Sequence, residues 1–553
     1  MANAAIYFQE DGFAARPDRI VGRPVSGLGL LKAAARAAAP GPLVLLGGDD
    51  SQLDRFIALQ GRTDILGPDQ PISWCGSVAD EAIQAAGAVY VHGTAMLGDL
   101  AWRRRPLGGE RFSLCGIHHT FSTHDALDAL GGLLLAPLEP WDALVCTSTA
   151  ARSAIKHVLD RQAAWLAERF GASRMPAPEL PVIPLGIWCE DFDPGEAIAT
   201  DWRRSWRDRL EIDSEAVVIL SFGRLSYLGK AHPVPLFMAL DRLDAGDVDV
   251  HLVMAGWFPN DLVRRQFMEA AAAFCPRIRV HWLDGRDPEV RERIWHAADL
   301  FVSLSDTIQE SFGLTPVEAM AAGLPCVVSD WDGYRDTVED GVTGIRVPTT
   351  APAPGAGCEL AAWYDAGMLG PDGYEGFAAL ATAVDVEAAT EALGALVRDA
   401  GRRHHMGDAA RRRARAVFDW PVVYGRLQAL WEELAERRRS CAPPPRGGHP
   451  LRPDPFAMFA AYPTHALSSD HRLVRRPGHP RELGLLARAD MATFGGDFLG
   501  VNATALDMLG GIGDTPVPVG SLLEGTAGER RNQLLLTIGL LLKFGLVRLL
   551  PPC

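Results

Sequence analysis

Short, nearly unbroken apolar runs recur along most of the chain, each closing on small or polar residues before a stretch with helical spacing. "GPLVLLGGDD", "AGAVYVHG", "RFSLCGIHHT", "DALVCTST" and "LPVIPLG" form a first series. From about residue 215 the theme restarts with "AVVILSFGRL", "VDVHLVMAGW", "RIRVHWLDG", "ADLFVSLSD" and "GLPCVVSD". Strands that are apolar on both faces and alternate with helices predict parallel sheets covered on both sides. The expected fold class is therefore α/β, with two doubly wound, Rossmann-like domains facing a cleft and joined near "DPGEAIATDW". In such sheets ligands sit beyond the carboxyl ends of the strands, so the loops after these runs are where chemistry belongs.

The pattern changes after the second series. The segment from 349 to about 376, with "TTAPAPGAGC" and "MLGPDGYEG", reads as an inserted loop, and helices resume with "VDVEAATEALGALVRDAG" and "WPVVYGRLQALWEELAERRR". "RRRSCAPPPRGGHPLRPDP" reads as a linker, its arginine run as a solvated helix end. The remainder forms a third, small, mostly helical unit. Its end predicts short helix, turn, longer helix and strand, a winged-helix-like pattern. The expected boundaries are 1–195, 196–436, a linker at 437–455, and 456–553.

Length and charge narrow the function classes. At 553 residues the chain exceeds one core, which agrees with several domains. A formal net charge of -15 argues against non-specific nucleic-acid or anionic-membrane binding, which needs an excess of Lys and Arg. The nearly balanced charges of the last unit favour a packing or partner-binding element over DNA recognition. Nine cysteines without CxxC pairs, several in apolar runs such as Cys146 and Cys326, read as reduced core thiols of a cytoplasmic protein. The opening "MANAAIYFQEDGF" lacks a basic, then apolar, signal pattern. "LLLTIGLLLKFGLVRLL" is interrupted by Lys543, Gly545 and Arg548, which predicts a buried helix and a strand, with no transmembrane segment. Its apolar helix suits a homodimer or a partner protein as well as an intramolecular dock.

Four features converge on a phosphate-bearing ligand. In "QESFGLTPVEAMAAGLPCVVSD", Thr315, Pro316 and Glu318 fit a capping box and Gly323 a helix stop. Capping does not account for Glu310, which lies beside the free amides of that helix N-terminus, where an anion is favoured. In "SFGRLSYLGKAHP", a strand delivers Arg224 and then Lys230, an arginine fork and a point charge suited to a diphosphate; surface ion pairs are the alternative for each. In "VGRPVSGLGLLKAA", Gly22, Gly27 and Gly29 precede a helix without the dinucleotide spacing, and allow close backbone approach. In "CGIHHTFSTH", His118 and His119 end a strand, where they could bond a polar ligand or serve as structural histidines. No metal-ligand spacing, nucleophile elbow or Walker loop accompanies them.

Taken together, "SFGRL…GK", "ADLFVSLSD…QESFGLTPVEAMAAGLPCVVSDWDGYRDTVEDGVTGIRVP" and "VIPLGIWCEDFDP" resemble the signatures of family-4, retaining, nucleotide-sugar-dependent glycosyltransferases of GT-B architecture. The resemblance spans roughly residues 1 to 435 and is strongest in the second half. It implies that Arg224 and Lys230 hold the donor diphosphate, that Glu310 bonds donor-sugar hydroxyls, and that the amides of Phe312, Gly313 and Leu314 cradle phosphate and sugar. Glu318 would accept from the ribose, with a second role as a cap. His119, with His118 beside it, would close the site from the first domain, and Gly27 and Gly29 would form its glycine loop. The donor would be a co-substrate, with no tightly bound cofactor and no metal. The loop between Arg224 and Lys230 is longer than the commonest family pattern. A pseudo-glycosyltransferase or a phosphorylase on the same scaffold, and a non-catalytic scaffold protein, are the alternatives. The acceptor would be read by first-domain loops such as 13–23 and 97–109.

Overall fold

The computed structural model describes residues 3–14, 21–63, 65–67, 69–476, 480–496 and 498–551. Residues 15–20 of the expected acceptor loop 13–23 lie outside the described residues. The chain divides into two compact units, Met1–His449 and Pro450–Cys553.

The larger unit holds two parallel sheets. The first comprises β1 (Ala5–Tyr7), β2 (Leu43–Leu46), β3 (Ile72–Cys75), β4 (Ala88–Val91), β5 (Ser113–Ile117) and β6 (Ala143–Val145), in the order β3-β2-β1-β4-β5-β6. The second comprises β7 (Val217–Arg224), β8 (Val250–Trp257), β9 (Arg279–Asp284), β10 (Leu300–Ser303), β11 (Cys326–Ser329) and β12 (Gly344–Val347), in the order β12-β11-β10-β7-β8-β9. Counted from its own first strand each sheet runs 3-2-1-4-5-6, which places a crevice at the carboxyl ends where the order reverses. The two doubly wound domains expected from the apolar runs are present. Every residue of β4, β5, β10 and β11 is buried, as strands covered on both faces require.

All five runs of the second series become strands, and four of the first. "LPVIPLG" does not: Val182 makes only an isolated bridge to Cys146, and Pro181 and Pro184 have no N–H to extend a ladder. Each sheet is pinned by an aspartate just before a strand, fully buried in the first and 13% exposed in the second. Asp142 takes a two-pronged bond from Arg104 (2.7 and 2.6 Å) and the Leu114 N–H (2.8 Å), both side chains being fully buried. Asp299 takes Arg207 (2.6 Å), Arg203 (2.6 Å) and the Val218 N–H (2.7 Å).

Two expectations need correction. The segment from 349 is no loop: Thr349–Thr350 pairs antiparallel with Ala383–Val384, and this neck carries a hairpin of helices Cys358–Asp365 and Pro371–Leu380. The turn between them uses a left-handed Gly367 (φ 71°), and Pro371 starts the second helix. The arginine run is not simply solvated either. Helix Trp420–Ser440 returns to the first sheet, where Gln428 bonds Asn3 (2.9 Å) and Arg438 donates to Gly87 O (2.5 Å) and Ser113 Oγ (2.7 Å).

The smaller unit has a three-stranded antiparallel sheet, with Arg472–Arg475 between Val517–Pro518 and Val547–Leu550. Leu473, Leu509, Ile538, Leu541 and Val547 form its core. The apolar C-terminal run becomes helix Gly528–Lys543 and the strand Val547–Leu550. No helix of the described residues is long and apolar enough to cross a membrane.

Candidate active site

β7 ends at Arg224, and the loop beyond it curls back. Ala231 N bonds Ser226 O (3.2 Å), and Arg224 Nη2 donates to Gly229 O (2.6 Å). The curl brings Lys230 to Glu310, where the two side chains form an ion pair 22% and 11% exposed. The extra loop length thus leaves the lysine within the site. Tyr334 closes the pair from behind, its hydroxyl 2.8 Å from Ser303 Oγ and 3.5 Å from Glu310 Oε2.

Behind Glu310 the chain turns through the buried Phe312 into helix Leu314–Ala321. The turn demands glycine: Gly313 has φ 90°, and a Cβ there would stand 2.2 Å from the Tyr334 ring. Gly313, not Thr315, is therefore the N-cap, and Thr315 Oγ1 is buried without a hydrogen-bond partner. This corrects the capping box and with it the capping role of Glu318, which falls in the helix interior. Gly323 ends the helix left-handed, as its position predicts. Burial pushes the Glu318 carboxyl up to about 7, against the opposing pull of Lys230 and Arg291.

The first domain answers with imidazoles. His118 and His119 follow β5, and the Nε2 atoms of both are buried without a hydrogen-bond partner. The His119 ring lies 4.3 Å from that of His92, whose Nε2–H donates to Arg23 O (3.0 Å). Burial holds His118 and His92 down to about 3, and holds His119 well below the usual imidazole range, with His92 adding to it. All three are neutral at physiological pH. The loop bearing Glu310 is tied to this domain. Thr120 donates to Gln309 Oε1 (3.0 Å), as does Ser122. Ser311 Oγ donates to His119 O (3.1 Å), and Thr147 donates to Ser311 O (3.1 Å).

The glycines behave differently from expectation. Helix Gly22–Ala38 begins at Gly22, so Gly27 and Gly29 lie inside it and do not precede it. A Cβ on Gly27 would meet Gly12 O at 2.0 Å, and one on Gly29 would meet the Trp420 ring at 2.2 Å. Both glycines serve close packing within the protein. Gly22 stands nearer the cleft, with Leu314 Cδ1 3.6 Å from where its Cβ would be.

Sequence reasoning missed five contributors: Gln309, His92, Tyr334, Asp332 and Glu375. Asp332 (φ 41°) receives a bond from Ser148 (3.4 Å), and burial followed by the nearby Glu310 pushes its carboxyl up to about 8. Glu375 arrives on the inserted hairpin. Its Oε2 and Arg224 Nη2 stand 2.9 and 2.8 Å from where a Gly229 Cβ would be. The quoted motifs contained Gln309, and "AVYVHG" contained His92, but neither run marked them as facing a ligand. Among the described residues no group of three His, Cys, Asp or Glu side chains is placed to hold a metal ion.

The larger unit is thus a two-domain α/β architecture with Arg224 and Lys230 gathered at the carboxyl end of β7. Residues 203–354 match the family model described as Glycosyl transferases group 1. The D-inositol 3-phosphate glycosyltransferase of Geodermatophilus obscurus is 34% identical over 178 residues, 31% of this chain and 37% of that protein. Its counterpart in Nocardia farcinica is 30% identical over 279 residues, 49% and 51% of the two chains. The chain thus spans between about a third and a half of the length of these curated relatives. Among solved structures, Anabaena HepE in complex with UDP superposes with TM-score 0.51 at 15% identity, over 78% of this chain and 100% of that one. HepE in complex with UDP and glucose gives 0.50 at the same identity and coverage. At that identity the likeness establishes the fold.

Proposed function

We propose that the chain transfers a sugar from a nucleoside-diphosphate sugar to an acceptor, with retention of anomeric configuration. The observation that carries this reading is the convergence of Arg224, the Lys230–Glu310 pair and the helix amides after Gly313 at the carboxyl ends of β7 and β10. Arg224 and Lys230 would neutralise the diphosphate as the anomeric bond breaks, and their gain is greatest when the leaving group carries its full charge. When the diphosphate takes Lys230, Glu310 is released to accept from sugar hydroxyls. The amides of Phe312, Gly313 and Leu314 would cradle phosphate and sugar, and Glu318 would receive the ribose. His119 would close the site as a neutral hydrogen-bonding group, which its depressed basicity supports.

In this reading the leaving phosphate itself takes the acceptor proton on the face it vacates, so no carboxylate nucleophile is required. The ties between the two domains around Gln309 and Ser311 would keep water from the donor. The donor is a co-substrate, and neither a tightly bound cofactor nor a metal takes part. The protein acts in the cytoplasm, and 456–553 is a winged-helix-like module that docks a partner protein or a second copy.

Calorimetry with UDP, GDP, TDP and ADP, and then their hexose conjugates, tests this reading. One nucleotide should bind, Arg224→Ala should weaken it, and Glu310→Ala should weaken only the sugar conjugate. Acceptor trials begin with D-inositol 3-phosphate, the substrate in the relatives' names. Folded protein that binds no nucleotide or nucleotide sugar would sink the proposal.

A further inference from the structure

The inserted hairpin lies beyond the residues that match the family model, which end at 354. It nevertheless reaches both domains. Its base is the two-stranded neck on the second domain, and Gly376 packs so tightly on Leu228 that a Cβ there would stand 2.4 Å from it. Its far side touches the first domain: Tyr364 donates to Ser122 O (2.9 Å), and its ring stacks on His124 at 4.0 Å. Tyr364 also stacks on Tyr374 of the second helix at 4.6 Å, which stiffens the pair. Between these anchors Glu375 is 5% exposed and points at the Arg224–Gly229 corner. A buried carboxylate in that place faces the guanidinium of Arg224 and the hydroxyl of Ser122, with Asp372 on its own helix.

Each diphosphate cation therefore has a carboxylate near it: Lys230 is ion-paired with Glu310, and Glu375 stands beside the Arg224 guanidinium at the Gly229 corner without a direct hydrogen bond to it. Glu310 is assigned to the sugar once the donor displaces it. Glu375 has no such second task, and a fixed negative charge beside a bound diphosphate disfavours that complex. A carboxylate so placed speeds departure of the diphosphate product at the expense of its affinity.

We infer that Glu375 is a positioning residue for Arg224, carried across the cleft by the hairpin, and that it reclaims the guanidinium when the nucleoside diphosphate product leaves. The inference rests on the donor-site reading above and adds to it a residue outside the family match. Three outcomes follow from the geometry. Glu375→Gln keeps the shape but removes the charge, so the nucleoside diphosphate binds roughly three- to tenfold tighter. Turnover falls because release slows, and product inhibition deepens in proportion. Glu375→Asp restores the charge and moves both values back toward wild type.

The experiment is calorimetric titration of the full chain, wild type and both variants, with UDP, GDP, TDP and ADP, followed by product inhibition with the nucleotide that binds. Damage to packing alone weakens binding in both variants, so tightening by Glu375→Gln with recovery by Glu375→Asp is the expected signature. Unchanged or weaker binding in a folded Glu375→Gln variant overturns the inference while the donor site stands. Absence of binding to the wild type removes the donor-site reading and the inference with it.

Discussion

The two sheets of the larger unit share a strand order and an internal anchor, but they face the cleft with opposite chemistry. Each has an aspartate just before a strand, Asp142 before β6 and Asp299 before β10, bound by arginine and by a backbone N–H of a neighbouring strand. At the other end of the strands the first sheet offers His92, His118 and His119, held neutral by burial. The second offers Arg224, Lys230 and the carboxylates around them. One scaffold can thus be fixed by the same device at its base while its rim is free to differ, as expected where binding residues sit on loops over a rigid frame.

The sharpest break in this comparison is at the anchors. Arg104→Ala leaves Asp142 charged and sealed from water, and should cost about 3–5 kcal/mol of stability. Arg207→Ala should cost clearly less, because Arg203 remains on Asp299 at 2.6 Å. Urea unfolding of the two variants measures the difference, and equal losses would show that the anchors are interchangeable.

Next in size is the rim of the second sheet. In the proposed reaction Arg224→Ala removes one donor to the developing charge and should lower turnover by about 10²–10³-fold, the range for loss of one preorganised donor. Stability should change little, since Arg224 is partly exposed and bonds only a loop carbonyl. The corresponding change on the first sheet, His119→Ala, should cost less, because a neutral imidazole supplies a weaker hydrogen bond than a charged group.

The same contrast governs pH. His92 and His118 titrate near 3 when folded and near 6.5 when unfolded, so the stability they confer is complete above 6.5 and is lost as pH falls toward 3. By pH 5 the loss should be roughly 2 kcal/mol per imidazole. Glu318 and Asp332 are raised to about 7 and 8, so their contribution is complete below about 4 and is lost as pH rises through 7 to 8. Hydrogen exchange, corrected for its intrinsic pH dependence, should show β5 loosening first on the acid side and β11 first on the alkaline side. Loss of protection in both strands at one end of the pH range would refute the assignment.

How far the sequence reveals these features follows from distance along the chain. Glu310 through Glu318 is one strand-to-helix passage, so a motif read in order locates it, and the apolar runs disclose most of both sheets. Short strands such as β3 and β12 escape because Ser73 and Arg346 interrupt their apolar residues. His92 escapes because its contact with His119 is made only when β4 and β5 lie side by side. Glu375 escapes because its segment reads as a Gly- and Pro-rich loop until the neck Thr349–Thr350 with Ala383–Val384 closes it. Gly27 and Gly29 mislead in the opposite sense: they look like a ligand loop, but their hydrogens face Gly12 and Trp420.

The smallest effect separates two ways of starting a helix. In the first domain Thr123 caps helix His124–Gly132 through its side chain, which accepts from Ala126 N at 3.3 Å. In the second domain Gly313 starts the helix by backbone conformation alone, and Thr315 is the second residue of that helix, with no partner for its hydroxyl. Thr123→Ala should therefore cost about 1 kcal/mol, the usual value of a side-chain cap. Thr315→Ala removes an unsatisfied buried hydroxyl and should stay within about 0.5 kcal/mol of wild type. A loss near that of Thr123→Ala would return Thr315 to the capping box and move the start of the helix with it. The amides available to a phosphate would then begin after Thr315, two residues further from Glu310, and the site would have to be redrawn.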